Sequence, residues 1–147
     1  MEFKFQTQLK IRKPPAEVFE AVVDPKKLSG YFVQSASGPL AEGQTVKWSF
    51  AEAPEPFDVI VDEVKANEKI VFRWPTDIDG VLTEVVMTFK PLNGGGETMV
   101  QIAESGWPQT EAGQKQSYSN AGGWMHMMAC LKGYLEYGIN LREGGAF

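Results

Sequence analysis

With 147 residues, 43% of them hydrophobic and 22% charged, the chain has the make-up of one globular domain spanning residues 1–147. A chain of this length buries roughly 68–70% of its unfolded surface, and no apolar run approaches the roughly 20 residues a membrane helix needs. A formal net charge of −5 gives no electrostatic basis for gripping phosphates, which sets nucleic acid aside as a partner.

The N-terminus alternates at once, with Phe3, Phe5, Thr7, Leu9 and Ile11 on one side and Lys4, Gln6, Gln8 and Lys10 on the other. That pattern is a strand, and it lacks the basic start and apolar block of a signal peptide. The single cysteine, Cys130, has no partner for an internal disulfide. Both features lead to the expectation of a cytoplasmic protein. Lys13-Pro14-Pro15-Ala16-Glu17 then reads as the start of a helix, because proline's missing N–H costs nothing in a first turn. Val18, Phe19 and Val22 give this helix its apolar face. Asp24-Pro25 repeats the signal and opens a second short helix through Leu28, ended by Gly30, with Tyr31-Phe32 returning to the core.

Short strands follow. Phe32 to Ala36 is expected to form one, closed by Ser37-Gly38-Pro39. Val46, Trp48 and Phe50 alternate with polar residues, Phe57, Val59 and Val61 alternate with Asp58 and Asp62 although Ile60 breaks the polarity, and Ile70, Phe72 and Trp74 alternate with Val71 and Arg73. Val81 to Lys90 is the longest, with Thr83, Val85, Met87 and Phe89 on one face. After the Asn93-Gly94-Gly95-Gly96 turn, Thr98, Val100 and Ile102 form the last. Close spacing and tight turns indicate an antiparallel meander, since parallel strands need long crossovers. Thr110 is placed to cap a helical segment through Ser119. Gly122-Gly123 then predicts a kink or break, each glycine costing about 1 kcal/mol relative to alanine. The main helix is expected from Trp124, with Met127, Met128, Leu131, Tyr134, Leu135, Gly138 and Ile139 returning on one face.

This order of elements resembles the helix-grip fold shared by START domains and birch-pollen-allergen-like proteins (the SRPBCC superfamily). Pro14-Pro15-Ala16-Glu17-Val18-Phe19 and Asp24-Pro25-Lys26-Lys27-Leu28 look like the start of that superfamily's domain. Ile70-Val71-Phe72-Arg73-Trp74, Glu104-Ser105-Gly106-Trp107 and Gly123-Trp124 through Leu131-Lys132-Gly133-Tyr134-Leu135-Glu136 resemble one branch of it, the activator of heat-shock-protein-90 ATPase homologue family. Tyr31 stands where that family usually has Trp, and its usual glycine pair is reduced to Gly43. The resemblance implies an α+β fold in which a curved antiparallel sheet of six or seven strands wraps a long C-terminal helix. It implies no shared catalytic motif. A chaperone partner follows from the resemblance alone, and a homodimer is left open.

Three groups of residues could carry chemistry. His126 and Cys130 lie four apart, on one helical face, as a thiolate–imidazole pair or half a metal site would. Zinc wants three or four ligands, so the plainer reading is a surface histidine beside a small buried residue. Asp58, Asp62, Glu63, Glu84 and Glu104 sit on strands, where a carboxylate facing a dry cavity could serve as acid or base. Alternation places Asp58, Asp62 and Glu84 on the solvent face and leaves Glu104 undecided. The aromatics are the stronger signal. An apolar cavity between sheet and helix is expected, lined by Trp48, Phe50, Phe72, Trp74, Val85, Met87, Trp107, Trp124, Met128 and Leu131. Met87, Met125, Met127 and Met128 suit adaptable walls, and Tyr118 or Glu104 is a candidate polar contact near the mouth. The leading functional expectation is binding of a small hydrophobic molecule, with no cofactor, metal or catalytic set. The alternatives are a cyclase- or hydrolase-like enzyme using the same cavity, and a cochaperone-like interaction protein.

Overall fold

The computed structural model describes residues 2–146. Seven strands form one antiparallel sheet in the order β1-β7-β6-β5-β4-β3-β2. They are β1 (Phe3–Ile11), β2 (Ser35–Ala36), β3 (Thr45–Ser49), β4 (Phe57–Lys65), β5 (Lys69–Pro75), β6 (Leu82–Leu92) and β7 (Glu97–Trp107). Helices α1 (Pro15–Val23) and α2 (Pro25–Leu28) follow β1, and α3 (Glu111–Tyr137) follows β7. This is a helix-grip α+β fold. From β2 to β7 the chain is a meander, and β1 returns along β7 with Thr7 opposite Ile102.

Period-two burial builds the inner face. Thr83, Val85, Met87 and Phe89 of β6 are buried, as are Thr98, Val100, Ile102 and Glu104 of β7. Register shifts between Val61 and Glu63 and between Phe3 and Lys4 insert an extra residue into the ladder, which bends a sheet and increases its twist. The bent face packs Trp124, Met127, Met128, Cys130 and Leu131 of α3 into a common core with Val18, Val22 and Leu28. The short helices begin as proline and capping chemistry requires. Pro15 opens α1, and the Asp24 side chain accepts from the Lys26 N–H at 2.9 Å at the start of α2.

Three elements differ from the sequence expectation. The kink expected at Gly122-Gly123 is absent, and α3 runs unbroken for 27 residues from its Thr110 cap. Both glycines are exposed, Gly123 towards an open cleft described below, and a Cβ at either would meet nothing. Neither is packed against a neighbour, and the buried face of Trp124, Met127, Met128 and Leu131 holds the helix through tertiary packing. The apolar face also stops earlier than the periodicity suggests. Gly138 adopts φ 68, its N–H bonds the Tyr134 carbonyl, and the Ile139 N–H bonds that of Gly133, so the chain leaves the helix there. The strand expected over residues 32–36 contracts to Ser35–Ala36. Phe32 and Val33 instead donate to the Leu28 carbonyl, in the turn that seats Tyr31, Phe32 and Val33 in the core.

The last turn of α3 is clamped to the end of β1. The Glu136 carboxylate accepts from Arg12 Nε (2.6 Å), from the Arg12 backbone N–H (2.9 Å) and from Lys132 Nζ (2.6 Å). Lys132 Nζ also donates to the Lys10 carbonyl. Burial opposes ionisation of Glu136, but the hydrogen bonds from Lys132 and Arg12 more than offset it and hold the carboxyl at about 2.

Three outcomes are expected. Because the folded-state pKa of Glu136 lies below its ordinary value, its contribution is fully present above about pH 4.5 and is lost as pH falls towards 2. Urea denaturation should therefore show Glu136→Gln less stable than the native chain at pH 7, with the gap closing at about pH 2. In the middle of α3, Gly122→Ala should raise stability by about 0.5–1 kcal/mol. Gly113→Ala should lower it, because the new Cβ would fall against the Pro108 carbonyl well inside contact distance.

A candidate ligand cleft organised by a buried carboxylate

Strand parity carries Glu104 inward. It follows Thr98, Val100 and Ile102 in steps of two on β7, and it is 1% exposed. An unpaired charge at that depth is costly, so its partners matter. Both Glu104 oxygens accept hydrogen bonds from four side chains on three other elements. Trp74 Nε1 of β5 donates at 3.0 Å and Thr83 Oγ1 of β6 at 2.5 Å. From α3, Trp124 Nε1 donates at 2.8 Å and Asn120 Nδ2 at 3.1 and 3.2 Å. An indole can only donate, so each tryptophan fixes one carboxylate oxygen as an acceptor. The carboxylate thereby ties the middle of the sheet to the middle of the helix.

The two tryptophans it holds belong to a closed circuit of rings. Phe32 meets Phe50 at 5.1 Å between centroids, Phe50 meets Phe57 at 5.6 Å, and Phe57 meets Trp74 at 5.9 Å. Trp74 meets Trp124 at 5.2 Å, and Trp124 returns to Phe32 at 5.8 Å. These separations fall in the range where aromatic pairs attract beyond their area burial. The five rings surround a cleft of about 250 Å³, whose wall is completed by Ala53, Asn120 and Gly123. Glu52 and Arg142 also line it and form an ion pair, with the Arg142 guanidinium 5.9 Å from the Phe32 ring. The cleft is apolar inside, carries one amide on its wall, and has paired charges at its edge.

The residues expected to line a cavity separate into three groups. Phe50, Trp74 and Trp124 line this cleft. Trp48, Phe72, Val85, Met87, Met128 and Leu131 are fully buried, with Trp48 and Phe72 packed against Trp74 behind the collar. Trp107 is buried at the far end of β7, stacked on Phe5 at 5.8 Å. Tyr118 lies exposed on α3, where Gln114 Nε2 donates to its hydroxyl. Of the acidic candidates, Asp58 pairs with Lys47, Asp62 with Arg73 and Glu63 with Lys69 on the outer face, and Glu84 is exposed. His126 is half-buried, and Cys130 Sγ sits 3.6 Å from its Nε2. Burial pushes the Cys130 thiol up, against a smaller lowering by Arg142. Among the described residues no group of three or more His, Cys, Asp or Glu is placed to hold a metal ion.

Sequence patterning does not assign Phe32, Glu52, Ala53, Phe57, Asn120, Gly123 or Arg142 to a cavity. Phe57 had a signal, the inward parity it shares with Val59 and Val61. Asn120, Gly123 and Trp124 also share one helical face by three- and four-residue spacing. Arg142 gave none, because it lies in the turn beyond α3.

A bent antiparallel sheet closed by a C-terminal helix, with an apolar cleft between them, defines a helix-grip protein of the SRPBCC type. The chain belongs to the family of Activator of Hsp90 ATPase homolog 1-like proteins, whose model matches residues 12–136. No curated protein matches the sequence. Among solved structures, a Staphylococcus saprophyticus protein is 28% identical at a TM-score of 0.79, covering 95% of this chain and 96% of that one. DynU16, a putative protein in the dynemicin biosynthetic locus, is 24% identical at a TM-score of 0.81, over 95% of this chain and 49% of that one. PFC0360w, an HSP90 activator from Plasmodium falciparum, is 17% identical at a TM-score of 0.73, over 91% and 96%. The latter two likenesses concern the fold. No helix among the described residues is long and apolar enough to cross a membrane.

The organising role of Glu104 has a direct consequence. Glu104→Gln places an amide N–H₂ among four donors, so at least one buried donor loses its acceptor. Urea denaturation should show a loss of about 2–3 kcal/mol. The indole N–H resonances of Trp74 and Trp124 should shift, while that of Trp107 should stay in place.

Proposed function

We propose that this protein binds a small apolar aromatic molecule in the cleft between α3 and the sheet. The observation that carries the reading is the closed circuit of Phe32, Phe50, Phe57, Trp74 and Trp124 around a space that side chains leave unfilled. Aromatic walls with a few polar groups are the common make-up of small-molecule sites. A flat ligand would add its faces and edges to rings already set at attractive spacing, and burial of its apolar surface would drive association.

The placement of the acidic groups favours binding over catalysis. Glu104 is buried beside the cleft, yet four structural donors engage its oxygens and it lies behind the cleft wall. Glu52 does line the cleft, but it is paired with Arg142. A proton-transfer group needs a lone pair or proton directed at the substrate. The chaperone connection rests on the family description and on the Plasmodium protein's role, and no surface feature among the described residues argues for it independently.

The test uses three of the four tryptophans as reporters. Titration with 2-methoxynaphthalene should shift the indole N–H resonances of Trp74 and Trp124 and leave that of Trp107 unmoved. Gly123 lines the cleft and a Cβ there meets nothing, so Gly123→Leu grows into open space and should abolish the shifts. No shift of either indole, or shifts that survive Gly123→Leu, would remove the basis of the reading. Mass spectrometry of the native protein, with extraction of whatever co-purifies, then identifies the natural ligand.

A further inference from the structure

The geometry points to a ligand that carries an O–H or N–H donor on its aromatic body, recognised by Asn120 Oδ1. This inference rests on the aromatic-cleft reading above and narrows it to one class of molecule, phenols and aromatic N–H compounds.

The orientation of one amide sets the polarity of the cleft wall. At ordinary precision the oxygen and nitrogen of an asparagine are distinguished by their partners. Here the partner decides. The Asn120 amide approaches both oxygens of Glu104, at 3.1 and 3.2 Å, and those oxygens also accept from two indoles, which can only donate. The group turned to the carboxylate is therefore the Nδ2 amine. Reversing the amide would set its carbonyl oxygen against the carboxylate.

Fixing Nδ2 fixes Oδ1. The amide is planar, so its oxygen is directed away from Glu104. Asn120 is half-buried and lines the cleft, and no protein donor among the described residues reaches Oδ1. The cleft therefore presents a carbonyl-type acceptor, held from behind, on an otherwise aromatic wall. The other polar wall groups, Glu52 and Arg142, are paired with each other. Neither tryptophan on the wall offers its N–H to the cleft, since Glu104 takes both. At this point of the wall the amide offers an acceptor while both indole donors are turned to Glu104, so a ligand that donates is matched there.

A second consequence concerns Glu104, which acts as a positioning residue. It touches no ligand in this scheme. By claiming Trp74, Trp124 and Asn120 together, it sets the faces of two rings and the polarity of the one amide.

The experiment compares two probes of nearly equal size, 2-naphthol and 2-methoxynaphthalene, by isothermal titration calorimetry on the full chain. The hydroxyl donates, whereas the ether oxygen only accepts. A single net hydrogen bond corresponds to about a 5- to 10-fold preference for 2-naphthol. Asn120→Leu and Asn120→Ala should each bring the ratio of the two affinities down to about one, whatever the absolute affinities become. Equal binding of the two probes by the native chain, or tighter binding of the ether, overturns the inference and leaves the aromatic-cleft reading standing. A preference that persists in both variants also overturns it, since the donor would be read elsewhere. If neither probe binds the native chain, the cleft reading fails together with the inference.

Discussion

A single buried carboxylate joins the parts of this protein that matter for its cleft. Glu104 accepts from β5, β6 and twice from α3, so sheet and helix share one polar contact in the middle of an apolar interface. Hydrophobic packing alone would hold α3 on the sheet but would leave its rotation loosely determined, because apolar contact is non-directional. Four donors converging on two oxygens are directional. They set which face of α3 points inward and at what height Trp124 meets Trp74.

The aromatic circuit follows from that constraint. Trp74 and Trp124 are each held at the indole nitrogen, and the remaining three rings complete the loop from the opposite side. Phe32 comes from the turn after α2, Phe50 from the end of β3, and Phe57 from the start of β4. Trp48 and Phe72, fully buried, back the loop and prevent its collapse inward. The cleft exists because rigid rings supported from behind cannot close a space of about 250 Å³ without breaking contacts made elsewhere. A second polar cluster, Arg12, Lys132 and Glu136, pins the far end of the same helix to β1, so α3 is fixed at two points along its length.

Much of this was legible in the residues. The alternation of β6 and β7, the Asp24-Pro25 helix start and the inward parity of Trp48, Phe72 and Trp74 all follow from local rules that the fold obeys. Glu104 falls in step with Thr98, Val100 and Ile102, but its place where the last strand leaves the sheet left its side undecided. Its four partners are 16 to 30 residues away in the chain. The continuity of α3 through Gly122-Gly123 was hidden for a related reason. Helix propensity is a local cost, whereas the packing of Trp124 and Met128 that overrides it is a tertiary gain.

The sequence by itself determined the order of the elements, the face of each strand that is buried, and the aromatic character of the interior. Those properties depend on period-two and period-3.6 patterning, which acts between near neighbours. Tertiary structure alone decided which aromatics border open space and which are packed solid, and which way the Asn120 amide turns. Those outcomes depend on groups brought together from distant parts of the chain by the bend of the sheet, and no local pattern encodes a distance across it.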